Sequence, residues 1–181
     1  MEVEDWLDNE DKSQREKRLK RLRWIAERMP NVQWMLFGTG PISKYLFEEA
    51  RYCFAYGQYL ASTVLGLAFI EISLAGAFYG TGREDLERVR IGVLAKEALN
   101  YGWITPRDYE MIERLRRYRN PITHFRPPGD EERVEARAFL TQSLPYEVIE
   151  RDAYELMESI FHLLLKVVPW AANELPKQYE A

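Results

Sequence analysis

The chain holds one cysteine and two histidines in 181 residues. Cys53 alone cannot form an intramolecular disulfide framework, and a lone thiol fits a reducing compartment. His124 and His162 are too few for a His-rich metal site, so no metal and no cofactor is expected. Positive charge is not in excess either. Lys and Arg number 25 against 29 Asp and Glu, a formal net charge of −4. A protein that coats nucleic acid through its whole surface is usually basic, so any such contact here must come from a local patch. The opening residues Met1-Glu2-Val3-Glu4-Asp5 are acidic without an apolar run, so no secretory signal is expected there. No internal repeat, low-complexity tract or sustained polar–apolar alternation is present, and strands lose their usual signature.

One apolar stretch is long. Residues 60–79 have about the length of a bilayer span. They also contain Ser62, Thr63, Ser73 and, near the middle, Glu71, while Gln58 and Gly80-Thr81-Gly82 offer no anchoring charge. A carboxylate at mid-membrane is costly. The stretch therefore reads as the central buried helix of a soluble bundle, with no membrane contact and a cytoplasmic location expected.

What the sequence does contain is helical periodicity. Residues 1–12 read as a loose acidic tail. Ser13, with Glu16 three residues on, reads as an N-cap. Leu19, Leu22, Ala26 and Met29 then recur at helical spacing until Pro30. Lys17, Arg18, Lys20, Arg21 and Arg23 form the other face, read either as solvated or as an arm for RNA or a partner. Residues 30–43 read as a linker whose aromatics, Trp34 and Phe37 among them, pack on the body. Its Gly38-Thr39-Gly40-Pro41 lacks the features of a P-loop or dinucleotide fingerprint. Helices are predicted at 44–57, 59–79, 84–99, from Pro106 to 118 or 119, at 131–140 and at 152–172. Thr105 caps the fourth of these, and Pro106 takes its first position. The expected fold is all-α: an up-and-down bundle of four to five main helices over 43–181. An acidic tail, a basic amphipathic helix and a linker precede it over 1–42 as an extra N-terminal arm.

The chemistry concentrates in Arg119-Asn120-Pro121-Ile122-Thr123-His124. Pro121 has no N–H and disfavours helix at Asn120. The simplest reading ends one helix near Arg119 and caps a new turn with Asn120. On an unbroken helix Arg119 and His124 would diverge by about 140°, and a break lets both point into one cleft. A histidine titrating near neutrality can take a proton from a 2′-hydroxyl or give one to a leaving oxygen. An arginine can hold the phosphate bidentately and stabilise its developing charge. No metal is needed for either role.

Arg-Asn-(three residues)-His, after an Arg-rich helix and before a break, resembles the motif of HEPN domains. The order of 50–79, then Tyr101-Gly102-Trp103-Ile104-Thr105, then the Arg/His segment is similar to that family from about Ser43 to Ala172. The resemblance implies a homodimer with two motifs facing each other. It also implies metal-independent cleavage of single-stranded or loop RNA, as in toxins paired with antitoxins and in antiviral defence, so an RNA substrate and an antitoxin or regulatory partner are expected. Carried over by position, Arg119, Asn120 and His124 are the catalytic set, and Arg116, Arg117 and Arg126 supply the local positive field. A Tyr that some members place two positions beyond the His is Arg126 here. The same bundle also serves as a non-catalytic dimerisation or partner-binding module, which is the alternative.

Glu71 lies among Phe69, Ile70, Ile72 and Leu74 and is expected to be buried and paired. Arg116 or Arg119 is the expected partner, and a supporting role in holding Arg119 follows. His162 reads as a satisfied helix histidine, and Cys53 as a small core residue.

Overall fold

The computed structural model describes residues 2–30 and 39–167, with no strand among them. Seven α-helices follow in order: α1 (Val3–Arg28), α2 (Pro41–Ala55), α3 (Tyr59–Gly80), α4 (Ile91–Asn100), α5 (Pro106–Thr123), α6 (Val134–Thr141) and α7 (Pro145–Val167). A 3₁₀ turn, Glu84–Leu86, precedes α4. The predicted packing of Trp34 and Phe37 and the extension of the last helix to 172 lie outside the described residues.

Side-chain pairings give the directions. Tyr59, at the start of α3, donates to Glu150 near the start of α7. Gly66 lies where Leu156 and Ile160 press closest, so a Cβ there would sit 2.7 Å from methyl groups of both. α3 and α7 therefore run parallel. Asp108 in α5 meets His162 and Lys166 late in α7, while Tyr118 meets Glu155 earlier in it. α5 is thus antiparallel to α7 and to α3. The three-residue link through Gly57 at φ +78°, the left-handed region that favours glycine, folds α2 back on α3. α2, α3, α5 and α7 form an up-and-down bundle, with α4 and α6 as short side elements.

α3 is central. Ten of its residues are buried, including Leu67, Phe69, Ile70, Leu74 and Phe78. It is the one described helix long and apolar enough to cross a bilayer, and here it packs against α2, α5 and α7. Phe47, Phe54, Leu94, Ile112, Leu115 and Leu156 complete the core.

Several boundaries differ from the sequence reading. α1 starts at Val3, not Ser13, whose hydroxyl donates to the Glu10 carbonyl. Glu4 and Asp5 in its first turn complement the helix dipole, so the acidic tail is itself helix. Its buried face is rotated too. Leu22 is 51% exposed, while Arg21 is 4% exposed. The Arg21 Nε donates to the Ala55 carbonyl at 2.9 Å and Nη1 to the Tyr59 hydroxyl at 3.1 Å. Trp24 packs beside it on Phe54, Tyr154 and Phe161.

α4 starts at Ile91, not Glu84. Leu86 and Ile91 are both buried, and five residues apart on one helix they would point about 140° apart. The chain resets between them. α7 starts at Pro145 rather than 152, with Glu147 in its first turn accepting the Leu144 N–H. α6 starts at Val134, after a turn in which Asp130 accepts the Glu132 N–H.

Candidate functional site at the end of α5

α5 begins as the sequence suggests. The Thr105 side chain accepts from the Asp108 N–H, and Asp108 Oδ2 accepts the Thr105 N–H at 2.8 Å, a complete capping box with Pro106 at the first position. The other end differs. The helix runs through Asn120 and Pro121 to Thr123, so the predicted break after Arg119 is absent. Proline in the last turn removes only one bond, to the Arg117 carbonyl, and Arg117 is exposed, so water can take that acceptor. Asn120 caps no new turn. Its carbonyl accepts the His124 N–H at 2.9 Å. His124 ends the helix in extended conformation, φ −134° and ψ 136°.

Arg119 therefore lies in the last turns of α5 and His124 at its C-cap, their backbone positions about 140° apart around the helix path and about 7.5 Å apart along its axis. The break expected to turn both into one cleft is absent. His124 is exposed, and its ring has no hydrogen bond among the described residues. Arg119 is half-buried, and its Nε is buried without a partner. Arg117 is exposed and makes no ion pair among the described residues.

The other predicted cations are already matched. Arg116 pairs with Glu113 at 2.7 Å, which holds its guanidinium more firmly protonated. Arg126 pairs with Glu132 at 3.1 Å and approaches Asp130 at 3.9 Å. The free positive field at this end thus comes from Arg117 and Arg119.

Glu71 corrects another expectation. It is half-buried and pairs with neither Arg116 nor Arg119. Leu60, eleven residues earlier on α3, lines the same groove as Pro121 and Ile122. At 1.5 Å per residue, Glu71 lies about 16 Å further along, level with Glu110 and Met111 in the first third of α5.

That groove, of about 440 Å³, is lined by Leu60, Pro121, Ile122, Phe125, Arg126 and Ile149 among others. Phe125 of this lining stands in solvent, and so do large apolar side chains on α6 and around the start of α7. Phe125 is 88% and Phe139 85% exposed, and Leu140, Leu144 and Tyr146 are exposed as well. The sequence reading placed none of these on a surface. An eight-residue α6 that buries only Ala138 is too short to show its orientation by periodicity.

A second polar cluster lies at the opposite end of α5. Asp108 is 2% exposed and accepts from His162 Nε2 and Lys166 Nζ, each at 2.7 Å. Burial alone would raise its carboxyl, but the bonds from Lys166, Thr105 and His162 outweigh it and hold Asp108 well below the usual carboxylate range. Beside an ionised carboxylate Nε2 must carry its proton, so the 3.1 Å approach of Lys166 to that nitrogen sets two donors on one acceptor. His162 is thus the satisfied helix histidine expected, with a partner the sequence reading did not name. His162 and Lys166, spaced i, i+4 in the otherwise apolar last turns of α7, were the available signal.

Cys53 is half-buried, and burial pushes its thiol up, away from nucleophilic use. Arg137 makes a bidentate pair with buried Asp152 and lies over the Tyr118 ring at 4.3 Å, fastening α6 to α5 and α7.

No family model, no curated protein and no solved structure matches this chain.

Proposed function

We propose that the chain is an HEPN-type endoribonuclease that cleaves single-stranded or loop RNA without a metal ion, acting as a homodimer. The observation that carries this reading is the end of α5. An exposed, unpartnered His124 and an Arg119 with a buried, unsatisfied Nε lie within one turn and a half of each other. Buried polar groups in native proteins are normally bonded, and an unsatisfied one needs an explanation. Arg51 and Arg126 share this feature, and for Arg119, half-buried and without a carboxylate partner among the described residues, a bound phosphate would supply the counter-charge.

Because no helix break turns the two side chains into one cleft, a second copy completes the site in this reading. Exposed Phe125, next to His124, suits burial against that copy, as do the exposed Phe139, Leu140, Leu144 and Tyr146 on and beside α6 and α7, which share the groove with it. In the pair, one His124 accepts the proton of the attacking 2′-hydroxyl and the other protonates the leaving 5′-oxygen. Arg119 stabilises the charge on the phosphoryl oxygens, and Arg117 adds to the field. Asn120 stands between them as an orienting group. A toxin with a cognate antitoxin, or a component of antiviral defence, is the biological setting this activity fits.

A non-catalytic dimerisation module is the second reading. The unbroken course of α5 through Pro121 favours it, since the break expected to turn the two side chains into one cleft is absent.

The test is RNA cleavage by the purified chain in EDTA. Products ending in 2′,3′-cyclic phosphate are expected, and DNA is left intact. His124→Ala should lose about 10²–10⁴-fold in rate and Arg119→Ala a similar amount. Arg119→Lys should recover little, since a point charge does not replace the planar fork. Both alanine variants should keep the wild-type Tm. Absence of cleavage by the wild type, together with a lower Tm for His124→Ala, would establish the module instead.

A further inference from the structure

α1 is longer than its dock. Residues 2–13 are all exposed, and burial begins only with Arg21 and Ile25. Its charges are sorted along its length. Residues 2–11 hold six acids and no base: Glu2, Glu4, Asp5, Asp8, Glu10 and Asp11. Residues 12–23 hold seven bases, Lys12, Arg15, Lys17, Arg18, Lys20, Arg21 and Arg23, and one acid, Glu16. Taken together the arm is neutral, with seven charges of each sign.

Charge is sorted on one face as well. Positions 8, 11, 15, 18 and 22 follow the alternating three-and-four spacing of a coiled-coil seam, read as Asp, Asp, Arg, Arg, Leu. All five line one open groove of about 570 Å³, floored by Ala55 and Tyr56 at the end of α2. Within one chain this face is partly self-satisfied: Arg18 reaches Asp11 at 2.7 Å and lies over the Tyr56 ring at 5.0 Å.

We propose that α1 pairs antiparallel with α1 of a second copy of this chain along this seam. The acidic half of each helix lies in the groove beside the basic half of the other. Asp8 then meets Arg18 of the second copy and Asp11 meets Arg15; symmetry repeats each pair. Parallel pairing sets like charge against like at the four charged seam positions, so orientation is specified by repulsion as well as attraction. RNA is the poorer occupant. The basic half would attract phosphate, but the adjoining acidic half repels it, and a neutral arm has little net pull on a polyanion. This inference rests on α1 alone and is independent of the ribonuclease reading.

The experiment uses the full chain with Cys53→Ser. Sedimentation equilibrium is run on Asp8→Lys/Asp11→Lys, on Arg15→Asp/Arg18→Asp, and on their equimolar mixture. Each swap alone should weaken self-association by at least about tenfold, because four facing pairs become repulsive. The mixture should recover it as a heterodimer, and raising salt should weaken the wild type. Residues 8–18 lie outside the core, so the swaps do not threaten folding. A second measurement fixes the register and is blind to any other dimer contact. Asp8→Cys and Arg18→Cys chains, mixed and oxidised, should cross-link to twice the 21.4 kDa chain mass, and neither should do so alone. Association unchanged by either swap, or no cross-link in the mixture, overturns the proposal. So does an arginine swap that abolishes RNA binding while leaving association and cross-linking unaffected, which would assign the basic half to RNA. Absence of RNA cleavage by the wild type, with the cross-link formed, would overturn the ribonuclease reading and leave this one standing.

Discussion

Arg21→Met removes the buried cation that docks α1, and its effect can be worked from two hydrogen bonds. The guanidinium is 4% exposed and serves two acceptors, the Ala55 carbonyl and the Tyr59 hydroxyl. Ala55 ends α2, so its carbonyl is among those a helix leaves without an internal partner. Hydrogen bonds from a charged donor contribute about 1.5–3 kcal/mol each, but burying the guanidinium offsets much of that. Methionine fills similar volume and carries no charge. The residual loss is the unpaired Ala55 carbonyl, about 1–3 kcal/mol. Tyr59 keeps its own bond to Glu150.

For a chain of this length the loss should lower Tm by about 3–9 °C. Arg21→Lys should fall between, since one ammonium cannot reproduce the fork. Trypsin distinguishes local undocking from global unfolding. Cleavage at Lys17, Lys20 or Arg23 should accelerate in Arg21→Met even where the bulk transition moves little. If neither Tm nor the cleavage rate changes, Arg21 does not anchor α1 and the reasoning fails.

The remaining predictions concern charge. Asp108→Asn should destabilise by about 2–4 kcal/mol at pH 7, because His162 and Lys166 lose their shared carboxylate although both also reach water. Its folded pKa is depressed, so this contribution is full above the unfolded value of about 3.9 and is lost as pH falls below it. Urea titrations of wild type and Asp108→Asn should therefore converge in acid, and a gap independent of pH would refute the clamp. Glu71→Ala should change stability by less than about 1 kcal/mol, since no ion pair is broken. A loss of 3–5 kcal/mol would reveal a partner for Glu71 and restore the pairing that the sequence suggested. Gly57→Ala forces a Cβ into φ +78° and to 3.3 Å from Arg21 Nη2, and should cost at least about 1–2 kcal/mol by denaturant titration.

The main helices were legible in the sequence because apolar spacing over a dozen or more residues averages out local exceptions. α3 and the capping box of α5 are the clearest cases. What was hidden turned on single residues. Pro121 breaks a helix interior but not a last turn, and the sequence does not say how many turns remain. The last helix was expected from 152, but it starts at Pro145, a distinction that rests on Glu147 reaching back to the Leu144 N–H. Arg21 belonged by type to the solvated face; only the position of the α2 terminus makes burial favourable for it. Glu71 sits among apolar neighbours in sequence, yet i±1 neighbours point to other faces of a helix, so they say little about its own surroundings. At the candidate site, local sequence located Arg119 and His124 but not which of the surrounding cations were already neutralised by Glu113, Glu132 and Asp130.

The capping box of α5 has a mechanical consequence. Asp108 fixes the first turn of that helix and at the same time grips the last described turns of α7 through two cations, so the helix is a strut anchored at its foot. Midway, Arg114 and Tyr118 brace it against Glu155. Beyond Tyr118 the described fastenings run out just where Pro121 deletes a rung of the ladder. The tip carrying His124 is the compliant end of a stiff lever, able to adjust to what meets it while the rest of the bundle stays still. Amide exchange should show this as a gradient along one helix, slow from Met111 to Tyr118 and fast at Ile122, Thr123 and His124.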